Sequence, residues 1–70
     1  MPHWTVSGDE DYKGIQIMWE AEENYILRQF QHEGYDYWVS VKMVYDGDIS
    51  RMERLGDRVT RDMIDQISVR

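Results

Sequence analysis

The fold of this chain is decided by residues 35–49, which read YDYWVSVKMVYDGDI. Apolar and aromatic side chains occupy its odd-numbered positions, namely Tyr37, Val39, Val41, Met43 and Tyr45. The even positions Ser40, Lys42 and Asp46 are polar, with Trp38 and Val44 as exceptions. This period of two, rich in β-branched and aromatic residues, predicts a β-strand that buries one face. Trp38 points away from the buried side on this pattern, so a large aromatic is expected on the opposite face.

The end of this strand is marked by Asp46-Gly47-Asp48, and Asp-Gly is a common pair in hairpin turns. We therefore expect the chain to fold back here. Residues 49–55 are then predicted to form a last strand, which Gly56-Asp57 would end.

The chain before residue 35 contains further strand patterns. Residues 3–7 predict a short edge strand, and residues 8–11, Gly-Asp-Glu-Asp, predict a polar turn. Residues 13–20 predict the next strand, although Met18 interrupts its alternation. Its apolar face consists of Ile15, Ile17, Trp19 and, just beyond, Ala21.

Residues 21–33 admit two interpretations. As a helix, they would begin with acidic residues at the positive end of the dipole and stop before Gly34. As a strand, Asn24 would close a tight turn in left-handed geometry, and the chain would return against residues 13–20. The apolar triplet at 25–27 and the lack of a full helical stripe favour the strand.

The C-terminal residues predict a short amphipathic helix that starts near Thr60 as its N-cap. Its apolar stripe follows helical spacing, and we expect the stripe to dock on the sheet or on a second subunit. The candidate oligomerisation residues are Met63, Ile64 and Ile67.

These patterns together predict an α+β fold in a single domain over residues 1–70. The expected architecture is a bent antiparallel β-meander of four or five strands with a short C-terminal amphipathic helix. The alternative is a helix at about residues 21–33 packed on a smaller sheet, because single sequences leave such segments ambiguous.

The composition limits the interactions that can stabilise the fold and the cellular compartment in which we expect the protein. A core of 70 residues supplies only about 3–5 kcal/mol. With no cysteine, neither a disulfide nor a thiolate zinc site can form, and this fits a reducing, cytoplasmic setting. No apolar run approaches the about 20 residues that a membrane span needs, so we expect no membrane partner.

Catalytic and metal-binding motifs are not recognisable in the sequence. The two histidines, His3 and His32, lack the spacing that places two ligands on one helix face. The serines have no Gly-x-Ser-x-Gly context, and no glycine-rich phosphate loop is present. We therefore expect neither an enzyme nor a cofactor or metal site.

The charge distribution favours a protein-binding function. The net charge is −6, and residues 1–48 hold ten acidic residues against three basic ones. Such a surface repels phosphate backbones and attracts basic proteins, and the chain is also rich in Tyr and Trp, which are common at interface hot spots. The candidate protein-binding residues are Glu20, Glu22, Glu23, Glu33, Asp36, Trp38, Asp46 and Asp48.

The predicted function is a small acidic inhibitor or modulator that docks on a basic surface of a nucleic-acid-handling protein. In its extreme form, carboxylates would replace phosphates, a device that small phage-encoded anti-defence proteins use. One alternative is a structural or regulatory domain that forms a homodimer through the C-terminal helix. The other is weak nucleic-acid binding through the arginines of residues 51–61, although we expect no direct nucleic-acid partner. These arginines are Arg51, Arg54, Arg58 and Arg61.

Overall fold

The computed structural model describes residues 5–43 and 49–68 of the chain. Its elements are β1 (Val6–Tyr12), β2 (Ile15–Glu22), β3 (Tyr25–His32), β4 (Tyr35–Lys42) and α1 (Ile49–Ser68). The four strands form one antiparallel sheet in the order β1-β2-β3-β4, and the helix follows them. The predicted α+β class and the β-meander are therefore confirmed.

Two of the hairpin turns have the left-handed geometry that suits the twist of a sheet. Lys13 and Gly14 have φ values of 54° and 81°, and Glu33 and Gly34 have values of 51° and 84°. Positive φ at both central residues is the mark of a type I′ turn, and glycine adopts it without steric cost. Each turn thus sets the register of its hairpin.

The third turn resolves the ambiguity of residues 21–33. β2 ends at Glu22 and β3 begins at Tyr25, so the strand interpretation is confirmed and the helix alternative is wrong. Asn24 lies in this turn as predicted, but its expected left-handed conformation is wrong. In the described part of the chain, positive φ at a non-glycine residue occurs only at Lys13 and Glu33.

The predicted turn at residues 8–11 is wrong, because these residues lie inside β1. Gly8 pairs with Trp19 and Asp11 pairs with Gln16 across the β1–β2 ladder. A Gly-Asp-Glu-Asp run resembles a turn in composition, yet an edge strand accommodates acidic side chains that project into solvent.

The helix is 20 residues long and begins at Ile49. The predicted strand at residues 49–55, the break at Gly56 and the N-cap at Thr60 are therefore wrong. The predicted hairpin turn at residues 46–48 lies outside the described residues. Thr60 is 0% exposed in the middle of the helix, where its hydroxyl donates a hydrogen bond of 2.7 Å to the carbonyl of Gly56.

Gly56 lies inside the helix on the side that faces the sheet, and a methyl group there would make ordinary van der Waals contacts. A Cβ atom at this position would lie 3.4 Å from Cδ of Arg28 and 3.5 Å from Cγ2 of Ile26. Glycine costs a helix interior about 1 kcal/mol relative to alanine, and the helix continues through this position because its neighbouring turns pack on the sheet.

The core lies between α1 and one side of the sheet, which we call the inner face. Near the start of the helix, Met52 packs with Ala21 and Ile26. Further along, Ile64 packs with Ile17 and Phe30. All four residues predicted to share a face of β2 point to this side, since they are buried or half-buried while Met18 is exposed. Met18 thus keeps the alternation rather than breaking it.

A polar contact ties the end of the helix to the first turn of the sheet. The carboxylate oxygen Oδ1 of Asp65 accepts hydrogen bonds of 2.5 Å from Nζ of Lys13 and 2.9 Å from the hydroxyl of Tyr12. These two donors, Lys13 first, lower the pKa of Asp65. Folding therefore favours the ionised carboxylate.

The stability of the fold should depend on pH through Asp65. Its contribution is present above the usual carboxyl pKa of about 4 and is lost as pH falls through the lowered pKa of the folded state. We expect the melting temperature of Asp65→Asn to lie below that of the wild type at neutral pH and to converge with it as the pH falls through the lowered pKa of the folded state. Lys13→Met should show the same convergence, because it removes the main donor to the Asp65 carboxylate. A difference from the wild type that stays constant with pH would contradict the assignment.

Candidate functional site

The side of the sheet opposite α1, which we call the outer face, is uncovered in the described structure. Because side chains alternate along a strand, every residue between the inner-face positions projects here. Met18 on β2, Gln29 on β3 and Trp38 on β4 lie directly opposite one another in a row across the sheet. Met18 is 49% exposed and Trp38 is 66% exposed. The centre of the outer face therefore presents two accessible apolar side chains, Met18 and Trp38, on either side of the polar Gln29.

Carboxylates surround this centre. Within the four described strands, five exposed acidic residues share the outer face with one basic residue, Lys42. The acidic residues are Asp9, Asp11, Glu20, Glu22 and Asp36. Asp9 pairs directly with Met18 in the β1–β2 ladder. The outer face thus combines an exposed tryptophan and methionine with a strongly negative rim.

The structure brings together half of the residues predicted for protein binding. Glu20 and Glu22 lie on the outer face of β2, and Asp36 and Trp38 lie on that of β4. Glu23 and Glu33 lie in turns at opposite ends of the sheet. Asp46 and Asp48 lie outside the described residues.

Three residues of the outer face were missing from the predicted set. Asp9 and Asp11 were missed because their segment resembled a turn, and Met18 was missed because it seemed to break an alternation. The alternation of side chains along each strand would have placed all three on the outer face. Asp11 and Met18 lie an odd number of positions from inner-face residues such as Tyr12 and Ile17.

The predicted oligomerisation residues pack within the chain. Ile64 is 0% exposed, and Met63 and Ile67 are half-buried against the cluster that it forms with Ile17 and Phe30. The apolar stripe of the helix was expected to dock on the sheet or on a second subunit, and in the structure it packs on the sheet. Dimerisation through the helix stays a prediction.

A buried arginine links the sheet to the helix beneath the outer face. Arg28 on β3 is 6% exposed and forms ion pairs with Glu10 on β1 and with Asp57 on α1, the latter at 3.2 Å. Asp57 also accepts a hydrogen bond of 3.0 Å from Nε of Arg61. Burial lowers the pKa of Arg28, and the charge of Asp57 opposes this shift. The cluster closes the middle of the fold and does not reach the outer face.

A second surface lies between β4 and the first half of α1, and we call it the basic groove. Four cations line it, and its floor is apolar. The cations are Lys42, Arg51, Arg54 and Arg58, and the apolar residues are Val41, Met43, Met52 and Leu55. Arg61 instead lies over the ring of Tyr12 at 4.7 Å. The arginines that the sequence suggested for nucleic-acid binding are thus divided between two places, and such binding stays a prediction.

The structure offers no evidence for a metal centre within residues 5–43 and 49–68, where no three His, Asp or Glu side chains are placed to share an ion. The helix that the structure describes does not contain an apolar stretch long enough to cross a membrane. Comparisons with protein-family models, with curated proteins and with solved structures found no match.

Proposed function

We propose that this protein is a small acidic protein-binding module whose outer face docks on a basic surface of another protein. The observation that supports it best is the position of Trp38, which is 66% exposed and in one row with the exposed Met18. Tryptophan is costly to leave in water and is enriched at interface hot spots. A solvated sheet face would otherwise present polar residues at such positions.

The rim indicates the chemistry of the partner. An apolar centre surrounded by charged residues is the usual arrangement of a protein interface. Since five carboxylates and one ammonium group share the outer face, the complementary surface is basic. Long-range attraction between such surfaces raises the association rate and weakens as salt screens charges beyond about 8–10 Å.

The proposed partner is a protein that handles nucleic acid, and the carboxylates of the outer face would occupy the positions of nucleic-acid phosphates on its surface. Support comes from the spacing of Asp9 with Asp11 and of Glu20 with Glu22, two pairs that repeat along neighbouring strands. Alternate residues of a strand lie about 6.8 Å apart, which is twice the rise of about 3.4 Å between charges on one DNA strand. The absence of cysteine fits action in the cytoplasm, as an inhibitor or modulator.

Truncation of the exposed tryptophan tests the proposal. A photo-crosslinking residue is first introduced on the outer face, and the protein to which it crosslinks is identified. The affinity of the purified protein for this purified partner is then measured. Trp38→Ala should weaken binding by about 30-fold, the effect of losing a hot spot of about 2 kcal/mol. Glu20→Lys with Glu22→Lys should lower the association rate and reduce its dependence on salt.

Tyr35→Ala provides the matched control. Tyr35 is an aromatic of the same strand, is 70% exposed and belongs to the inner-face side of the ladder. Its loss should leave affinity unchanged while circular dichroism shows all variants folded. Equal loss of affinity in Trp38→Ala and Tyr35→Ala, or unfolding of Trp38→Ala, would contradict the proposed binding face.

A further inference from the structure

We infer that the basic groove binds an acidic peptide in extended conformation, which adds to β4 as a fifth strand. The groove is built mainly by the arginines of α1, whereas the proposed function uses the outer face, and Lys42 at the end of β4 is the one described residue that borders both. The inference is therefore independent of the proposed function.

The charge of the groove is opposite to that of the molecule. In a chain of net charge −6, the described residues that line the groove include four cations and a single carboxylate, Asp57. The cations are Lys42, Arg51, Arg54 and Arg58. That carboxylate is already engaged by Arg28 and Arg61. None of Arg51, Arg54 and Arg58 forms an ion pair with a carboxylate of the described residues. The groove thus offers unneutralised cations to an anionic ligand.

The backbone of β4 offers the other half of the site. Among the described strands, β4 pairs with β3 alone, so one row of its N–H and C=O groups has no strand partner. The strand is eight residues long, contains no proline and has one lysine, Lys42, as its only basic residue. Such an edge accepts an added strand, which gains affinity from main-chain hydrogen bonds.

The helix and the edge strand are aligned so that one peptide reaches both. Met52 packs near Val41 and Ile64 packs near Tyr37, so α1 runs along β4. Arg54 and Arg58 are one helical turn apart, a rise of about 6 Å. Alternate side chains of an added strand are about 6.8 Å apart, so acidic residues at every second position would meet successive arginines.

The floor of the groove favours a peptide over a nucleic acid. Single-stranded nucleic acids bind where aromatic rings stack on bases in a basic channel. Among the described residues that line this groove there is no aromatic ring, and Leu55 in its apolar floor is 43% exposed. Aliphatic side chains of a peptide fit such a surface.

A second copy of the chain is a poor occupant. Pairing of two β4 edges about a two-fold axis would place both helices on the same side of the joined sheet. The arginines of the two grooves would then face each other, and like charges across an interface oppose association. An acidic strand meets no such repulsion.

The test uses a fluorescent eight-residue peptide of alternating Glu and Val, which matches β4 in length, and measures anisotropy at low salt. We expect saturable binding that Arg54→Glu with Arg58→Glu weakens by at least about tenfold, because the reversed charges repel the peptide. The same peptide with Lys in place of Glu should not bind. An acidic peptide with a central proline should bind more weakly, since proline removes a ladder donor.

The control variant is Glu20→Lys with Glu22→Lys, which alters the outer face and should retain peptide binding. Circular dichroism confirms that each variant is folded. Absence of peptide binding to the wild type would overturn the inference, as would equal affinity for the proline peptide. Tighter binding of a single-stranded oligonucleotide than of the acidic peptide would also overturn it and would identify the groove as a nucleic-acid site.

Discussion

Ile64→Ala is expected to leave a large part of the protein unfolded at room temperature. Ile64 is 0% exposed and joins α1 to the sheet through Ile17 and Phe30. Truncating a buried isoleucine to alanine costs about 2–5 kcal/mol, depending on how far the cavity collapses. A core of this size supplies only about 3–5 kcal/mol, so this one change removes most of the net stability.

Urea unfolding followed by circular dichroism measures this effect. The matched control is Val59→Ala, which shortens an aliphatic side chain on the same helix at a position 36% exposed. We expect the control to change stability little, because alanine has the higher helix propensity and little buried surface is lost. Equal unfolding midpoints for Ile64→Ala and the wild type would show that the helix does not anchor the sheet.

The strand faces were predictable because alternation in the sequence reports burial directly. Ile15, Ile17 and Trp19 fall on the inner face as their spacing predicts. Trp38 is next to the inner-face residue Val39, so alternation places the tryptophan on the opposite face, in solvent. The same alternation places Glu20 and Glu22 on the outer face. These features depend on local sequence alone.

The start of the helix was not predictable, because tertiary packing overrides local preference there. Gly56-Asp57 resembles a break, yet Met52 and Ile64 on either side of it pack on the sheet and Asp57 pairs with the buried Arg28. The basic groove was missed for a related reason. Its cations come from β4 and α1, and only the docking of the helix brings Lys42 near Arg54.

The alternation pattern of β3 indicates in the sequence itself that Arg28 is buried. It lies between Ile26 and Phe30, two positions from each, so alternation places it on the inner face. A charged residue at such a position requires partners, since burying an unpaired charge is costly. The partners, Glu10 and Asp57, are far away in sequence and become apparent only in the folded chain.

Removing the partners of Arg28 is expected to destabilise the protein more than removing Arg28. Glu10→Gln with Asp57→Asn leaves a guanidinium with 7% of its side chain exposed and no counter-charge among its described partners. The expected loss is about 3 kcal/mol, the lower end for a broken buried pair, because the amide oxygens still accept hydrogen bonds. Arg28→Met instead replaces the buried cation with an apolar side chain.

Arg28→Met should change stability by less than about 1 kcal/mol, because replacing a buried ionic group by a packed apolar one is often neutral. The carboxylates that remain are not deeply buried: the side chains of Glu10 and Asp57 are 33% and 36% exposed, and Asp57 keeps Arg61. Urea unfolding of both variants at neutral pH gives the comparison. If Arg28→Met proved the less stable of the two, the ion pairs would contribute net stability beyond compensating for the burial of Arg28.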